Sequence, residues 1–518
     1  MRNSVERNYG SRISNYVLIF LVLNLSMTQQ FDSDLQSIQE ARTLAQTAYE
    51  AQQEFFGFSQ AQVDRICAAM ADAAYRDSER LGRMASEETG YGVPAHKTLK
   101  NHLGSRHVWQ SIKDIKTVGV IREDRANGIV EIGWPMGVVA ALSPSTNPTS
   151  TVMYKTLVAV KARNGIVHAP HPSARNSCVE TTRVMVKAGV AEGMPRGLVG
   201  CMSKISLQGT QELMRHKRVS VIVATGGSEM VRVAHSMGKP AYGVGPGNVP
   251  CYVDRSADIK KAARYIVSSK AFDNSVICAT EQAVVADTPI AANLRVEMEQ
   301  LGAYFVTPAE AEALAGALFS PNGAINPKSV GQDPQSLAQM AGISVPPSAK
   351  ILVARLNKVG RDAPLSREKL TTVLGWYESD GWEAGCERCI ELIKFGGRGH
   401  SLVIHATDEN VILQFGLEKP VFRILVNTMG TLGAVGLTTN VMPSMTLGAG
   451  GIGGAITGDN ITTTHLLNVK RIAYEVTAPP AAAMADTLPL VSTGGVSSGI
   501  SRADVEEIVR RVLNEINK

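Results

Sequence analysis

The chain of 518 residues is poor in aromatics, at 5%, and holds only seven cysteines. An odd, scattered set of thiols in so long a chain excludes a disulfide framework and points to a reducing, cytosolic compartment. Charge is also sparse, with a formal net of +5 and no long run of one sign, so nucleic-acid binding is not favoured. Long apolar runs are missing. Val17–Leu23, preceded by Arg2, Arg7 and Arg12, imitates a signal peptide. It is shorter than the roughly 20 residues that span a bilayer, and no small-x-small cleavage site follows it. We read 1–26 as an upstream extension from a misplaced start codon, or as disordered, with an export signal the weaker alternative.

What is present reads as two α/β units. A helical pattern over 34–88 leads to a hairpin of strands 117–121 and 128–134 around a polar turn. Strands at 137–142, 165–169, 198–202 and 219–224 then alternate with helices at 149–163, 176–188 and 208–215. That alternation predicts a parallel, doubly wound sheet binding its ligand at the carboxyl ends of the strands. A second unit starts near Val249, with strands at 282–286, 350–354, 401–405 and 421–426 and helices at 257–269, 292–301 and 382–394. Residues 477–498 have the Ala, Pro, Ser, Thr and Gly content of a linker. The segment 499–518 carries Val505, Ile508, Val509, Val512, Leu513 and Ile516 on one helical face, with balanced charge on the other. It either docks on its own domain or fills a partner's groove. The balanced charge argues against an anionic membrane surface.

Several residues have the chemistry of a site. Cys278 closes the apolar run Val276-Ile277 and is flanked by Asn274, Ser275 and Thr280, the setting of a fixed nucleophilic thiol. Thr225-Gly226-Gly227-Ser228 follows a strand and precedes a helix at 229–236, so its N–H groups suit a phosphate or nicotinamide. Gly448-Ala449-Gly450-Gly451-Ile452-Gly453 matches a dinucleotide fingerprint literally but lacks the strand and the downstream acid that the fingerprint requires. Asn147, before Pro148 at a strand end, is either a turn residue or an amide aimed at an oxyanion. His400 is either a strand-start histidine or a substrate contact. Cys386 and Cys389 form a lone CxxC, read as two ordinary helix cysteines, and no metal site is expected.

Taken together, these segments resemble the CoA-acylating aldehyde dehydrogenases. The resemblance rests on Ser143-Pro144-Ser145-Thr146-Asn147-Pro148, Ala224-Thr225-Gly226-Gly227, Gly245-Pro246-Gly247-Asn248-Val249-Pro250 and Ser275–Gln282. Gly399-His400-Ser401 and Pro443–Gly451 add to it, and the motifs run in order over about residues 30–478. The branch it is most similar to is the propionaldehyde and acetaldehyde dehydrogenases of bacterial microcompartments. The resemblance implies an aldehyde dehydrogenase-like α/β fold: a Rossmann-type cofactor domain, an α/β catalytic domain and a β-hairpin oligomerisation element. The nucleotide-binding domain would be 27–248, with hairpin 117–134 for oligomerisation. The catalytic domain would be 249–445, and 446–478 a return segment with an oligomerisation strand. A linker at 479–498 would carry 499–518 as an encapsulation helix that targets microcompartment shell proteins. The protein would then be a cytoplasmic homo-oligomer, a dimer or tetramer, in the microcompartment lumen.

For the site, the resemblance implies that Cys278 attacks the aldehyde as a thiolate while Asn147 and the Cys278 N–H hold the oxyanion. NAD contacts would come from Ser145, Thr146, Pro170, His171, Thr225, Gly226, Gly227, Gly245, Pro246 and Gly247. Ile277 and His400 would contact substrate, and coenzyme A would accept the acyl group. Two departures from the wider superfamily matter. Gly245–Pro250 stands where hydrolytic members carry a water-activating glutamate, which favours thiolysis. The stretch 168–174 lacks the acid that would reject a 2′-phosphate, which leaves NADP open. The competing readings are a hydrolytic semialdehyde dehydrogenase and a shell-associated scaffold with vestigial catalysis.

Overall fold

A computed structural model describes residues 32–480, together with the isolated Ala503, Glu507 and Arg511. The extension at 1–26, most of the linker and the terminal helix 499–518 otherwise lie outside the described residues. The chain divides into two compact units: residues up to Arg122 with Glu131–Lys470, and Glu123–Val130 with Arg471 onward. All of the candidate chemistry lies in the first. Among the described residues no helix is long and apolar enough to cross a membrane.

The helical opening is three helices, Ser33–Phe55, Gln60–Arg76 and Ser78–Thr89. Ser59 and Gln62 form a reciprocal capping box that sets the start of the second. A further helix, Pro94–His102, runs through a π-turn at Leu103–His107 into Val108–Ile112. Its polar sequence carries no clear periodicity, so the sequence reading passed over it. The hairpin is β1 (Gly119–Asp124) and β2 (Ile129–Pro135).

The first parallel sheet contains β3 (Val138–Ser143), β4 (Gly165–Pro170), β5 (Val199–Cys201), β6 (Val219–Thr225) and β7 (Ala241–Val244), in the order β5-β4-β3-β6-β7. Every residue of β3 and β4 is buried, as expected of central strands with helices on both faces. Successive strands β3, β4 and β5 move one way from β3, and β6 and β7 return on its other side. The crevice between β3 and β6 is therefore the switch point where such sheets bind ligands.

The second parallel sheet contains β8 (Val249–Val253), β9 (Glu281–Asp287), β10 (Ala303–Phe305), β11 (Ile351–Arg355), β12 (Val373–Ser379), β13 (Leu402–His405) and β14 (Ile424–Val426). Its order is β10-β11-β12-β9-β8-β13-β14. Finally β15 (Leu467–Ala473) completes a three-stranded sheet of order β1-β2-β15. The fold is thus the α/β, parallel-sheet architecture expected from the sequence. Gly451–Gly453 is a short 3-10 turn with no strand leading into it, so the glycine-rich stretch is no dinucleotide fingerprint. Cys386 and Cys389 are both buried on helix Gly381–Phe395.

Candidate active site

Helix Pro148–Lys161 follows β3 directly, and Pro148 at its first turn fixes where it begins. That start makes Asn147 the N-cap residue. Its amide Nδ2 donates to Thr146 Oγ1 at 3.0 Å, and its Oδ1 accepts from Lys100 Nζ at 2.6 Å. The second strand end of the crevice is Thr225, whose hydroxyl meets that of Thr446 at 2.8 Å.

Cys278 arrives from the other sheet. Helix Ile259–Ala271 breaks into a 3-10 turn, Phe272–Ser275, just ahead of the thiol. Asp273, Asn274 and Ser275 have φ of 50°, 49° and 70°, a left-handed conformation that non-glycine residues adopt only when the surroundings enforce it. The enforcement is visible. The Asn274 amide donates to the Gly331 carbonyl at 2.9 Å, and Asp273 sits in a buried cluster with Lys97 and Lys100. Val276, Ile277 and Ala279 anchor the rest of the loop in the core. The Ser275 and Thr280 hydroxyls, expected to fix the loop, are buried without a partner among the described residues. Asn274 and Asp273 do that work instead.

One cavity of about 570 Å³ joins the two sides. Cys278, Ile277 and Asn147 line it, as do Ser145, Thr146, Pro170, His171, Thr225, Gly226, Gly227, Gly245 and Pro246. Apolar walls come from Val435, Met445, Leu447, Ile325, Val330 and Leu370, together with Tyr91. Two expected contacts do not line it. Gly247 lies behind the thiol, and a Cβ there would stand 2.3 Å from the Cys278 carbonyl and 3.0 Å from the His400 ring. Its close approach requires glycine. His400 is buried behind Gly247, its Nδ1 on Ser401 Oγ at 3.1 Å and its Nε2 unpartnered among the described residues. His400 thus does not line the cavity, and a Cβ at Gly247 would lie close to both its ring and the Cys278 carbonyl.

The main residue that sequence reasoning missed is Glu368. Gly245–Pro250 carries no carboxylate of its own, but Glu368 lines the cavity and its Oε1 accepts the Gly247 N–H at 2.8 Å. Burial pushes this carboxyl up to about 7, against the pull of the Gly247 N–H, Lys270 and Lys369. The site is therefore not free of carboxylates, as the motif alone implied. No short-range signal marked Glu368, because the bond that places it is made to Gly247, far away in the chain. The thiol is affected too. Burial, reinforced by Glu368, pushes Cys278 up to about 12, while Arg423, its own N–H and Lys100 pull the other way. The resting nucleophile is the thiol.

A dinucleotide fits the strand ends. A Cβ added to Gly227 or Gly245 would meet nothing within 4 Å, so the backbone there lies open to a ligand. Helix Ser228–His235 begins at Gly227 with no side-chain cap, leaving its first N–H groups for an anion. At the end of β4, His168 is buried with its Nε2 on Thr156 Oγ1 at 2.9 Å, and burial holds it neutral, down to about 3. His171, Pro172 and Ser173 are the exposed residues of this stretch. Among the described residues Glu368 is the one carboxylate on the cavity wall, and no lysine or arginine lines it.

The fold and a thiol loop facing an asparagine across a nucleotide crevice define the class. The chain belongs to the aldehyde dehydrogenase family, whose sequence model matches residues 30–323. Within the family it is similar to acetylating members. It is 48% identical to an acetylating aldehyde dehydrogenase from Geobacillus thermoglucosidasius, whose crystal structure matches with a TM-score of 0.86 over 87% of this chain and 99% of that one. It is 37% identical over 442 residues to the bifunctional aldehyde-alcohol dehydrogenase AdhE of Escherichia coli (strain K12), covering 84% of this chain and 50% of that protein. The chain thus spans about half the length of the first curated relatives it matches. A propionaldehyde dehydrogenase from Rhodopseudomonas palustris, solved with bound CoA and an acylated cysteine, is 28% identical. It matches with a TM-score of 0.75 over 84% of this chain and 97% of that one.

Proposed function

We propose that this protein oxidises a short-chain aldehyde to its acyl-CoA, with reduction of NAD, through a thioacyl-enzyme on Cys278. Propionaldehyde is the favoured substrate and acetaldehyde the next. The observation that carries this reading is the single cavity in which Cys278, Asn147 and the open glycine backbone of the nucleotide crevice meet. The relative solved with CoA and an acylated cysteine supports it.

Ser145, Thr146, Pro170, His171, Thr225–Gly227 and Gly245–Pro246 hold the dinucleotide, with Gly247 supporting the loop from behind. The nicotinamide supplies the hydride acceptor. As substrate binds, Cys278 gives its proton to solvent water, and the thiolate sulfur adds to the carbonyl carbon. The Asn147 amide and the Cys278 N–H receive the developing oxyanion, a role worth on the order of 3 kcal/mol per donor. After hydride leaves, the thioester remains on Cys278 until the coenzyme A thiol attacks it and displaces the Cys278 sulfur. Ile277 and the apolar wall receive the alkyl tail. Among the described residues no lysine, arginine or second carboxylate lines the cavity, so NAD is the preferred cofactor and NADP stays open.

Glu368 favours a second reading. A carboxyl poised near 7 beside the thiol is placed to activate water, which would make the enzyme hydrolytic. Product analysis decides between them. With propionaldehyde, NAD and CoA the first reading expects propionyl-CoA, and free propionate as the main product would overturn it. The Cys278→Ala variant should form neither.

We place the protein in a microcompartment lumen, bound to shell proteins through 499–518. The reading is supported by the linker composition before the segment and by its single apolar stripe. Deleting 499–518 should leave activity in solution unchanged and abolish co-purification with shells. Equal encapsulation of the shortened chain would remove this part of the reading.

A further inference from the structure

Behind the wall that carries Cys278 lies a buried ion cluster outside every sequence motif. Helix Pro94–His102 turns Lys97 and Lys100 inward, 2% and 3% exposed, against the fully buried Asp273. Lys100 Nζ donates to Asp273 Oδ2 and to Asn147 Oδ1, and lies 3.5 Å from the Val276 carbonyl. Lys97 Nζ donates to the same Asp273 oxygen and to the Thr146 carbonyl, each at 3.1 Å. Asp273 Oδ1 accepts the Val93 N–H at 2.7 Å, and the Asp273 N–H donates to His96 Nδ1 at 2.8 Å. One ammonium therefore touches both the Asn147 amide and the loop that presents Cys278.

The chemistry of the asparagine makes this contact consequential. An asparagine at an N-cap normally gives its side-chain oxygen to the helix's own N–H groups. Asn147 does not cap its helix, and its oxygen goes to Lys100 instead. An amide has a donor end and an acceptor end of nearly the same shape, whereas an ammonium only donates. Facing Lys100, the amide has one stable orientation, with Oδ1 toward the ammonium and Nδ2 away from it. The reverse orientation would press two donors together in a buried site, where an unsatisfied group is costly.

We propose that Lys100 is the positioning residue of the oxyanion site. It locks the Asn147 amide with Nδ2 turned away from the ammonium, one of its hydrogens on Thr146 Oγ1 and the other left for the oxyanion, and ties that amide, through Asp273 and Val276, to the Cys278 loop. The role rests on acylation of Cys278, and it is independent of whether CoA or water later accepts the acyl group. Burial draws Lys100 down to about 8, with Asp273 opposing and Lys97 adding to the fall, so it is mainly charged at pH 7.

The test reads acylation alone. p-Nitrophenyl acetate acylates a thiol through the same kind of tetrahedral oxyanion and needs neither nicotinamide nor CoA, so its burst of nitrophenolate reports the step directly. Lys100→Met should slow the burst on the order of 100-fold, and Asn147→Ala by a similar factor. The double variant should be little slower than Asn147→Ala, because a missing amide leaves the lysine nothing to orient. Titration with NAD should give the same dissociation constant in all four proteins. Losses that multiply in the double variant, a wild-type burst in Lys100→Met, or NAD affinity falling in step would each overturn the proposal. Should Lys100→Met fail to fold, Lys100→Arg takes its place. Because a guanidinium also only donates, Lys100→Arg should keep a burst within about tenfold of wild type with unchanged NAD affinity, and a burst as slow as that of Asn147→Ala in a folded Lys100→Arg protein would overturn the proposal. A chain that makes no acyl-CoA yet shows this pattern refutes the thiolysis reading and leaves the role of Lys100 standing.

Discussion

At the residue scale, burial and the Glu368 carboxylate keep Cys278 protonated at neutral pH, near 12. Such a thiol reacts only when its surroundings change, and a cationic nicotinamide or loss of the Glu368 charge would each lower it. The second effect has a definite sign. Glu368, raised to about 7, is mostly neutral below that pH and an anion above it. It therefore presses the thiol upward only in the alkaline range. Replacing it with glutamine should leave iodoacetamide labelling of Cys278 unchanged at pH 6 and speed it several-fold at pH 8.5. Equal rates for wild type and variant at both pH values would remove Glu368 from the account of the thiol. Of the site residues, those in contiguous motifs were legible because strand ends and glycine turns are local features. Glu368, Lys97 and Lys100 were not, since each takes its meaning from a partner distant in sequence: Gly247 for the first and Asp273 for the lysines.

At the scale of elements, the strands of the first sheet were legible because β3, β4 and β6 are nearly all apolar and bounded by turn residues. β12 was passed over although it is central to the second sheet. It holds Gly375 in mid-strand, and the charged Arg367–Lys369 just upstream reads as a surface loop. Helix Pro94–His102 was missed because its two lysines look like a solvated face until Asp273 is placed beside them. The meeting of the two sheets is equally non-local, and Gly247, in the link from β7 to β8, packs closely on the Cys278 loop. A methyl group there would stand 2.3 Å from the Cys278 carbonyl. Gly247→Ala should cost about 1–3 kcal/mol in urea unfolding by overpacking. It should also lower kcat more than tenfold, because the nucleophile loop has to shift. Full activity in a well-folded Gly247→Ala protein would contradict the packing described.

At the scale of the molecule, Ile472 in β15 and Tyr474 and Val476 just after it are exposed apolar residues. Exposed apolar residues at the end of an edge strand are a ready surface for a second copy, which supports the proposed homo-oligomer. Ile472→Lys should shift the protein to a smaller species in sedimentation velocity, and an unchanged coefficient would count against that interface. The central claim concerns the whole reaction cycle: Cys278 hands its acyl group to a thiol and not to water. Mixing the protein with propionaldehyde and NAD in the absence of CoA tests this most directly. The account predicts a burst of about one NADH per site, then a stall that ends when CoA is added, the signature of an accumulated acyl-enzyme. Steady NADH production without CoA, at the rate seen with it, would contradict it.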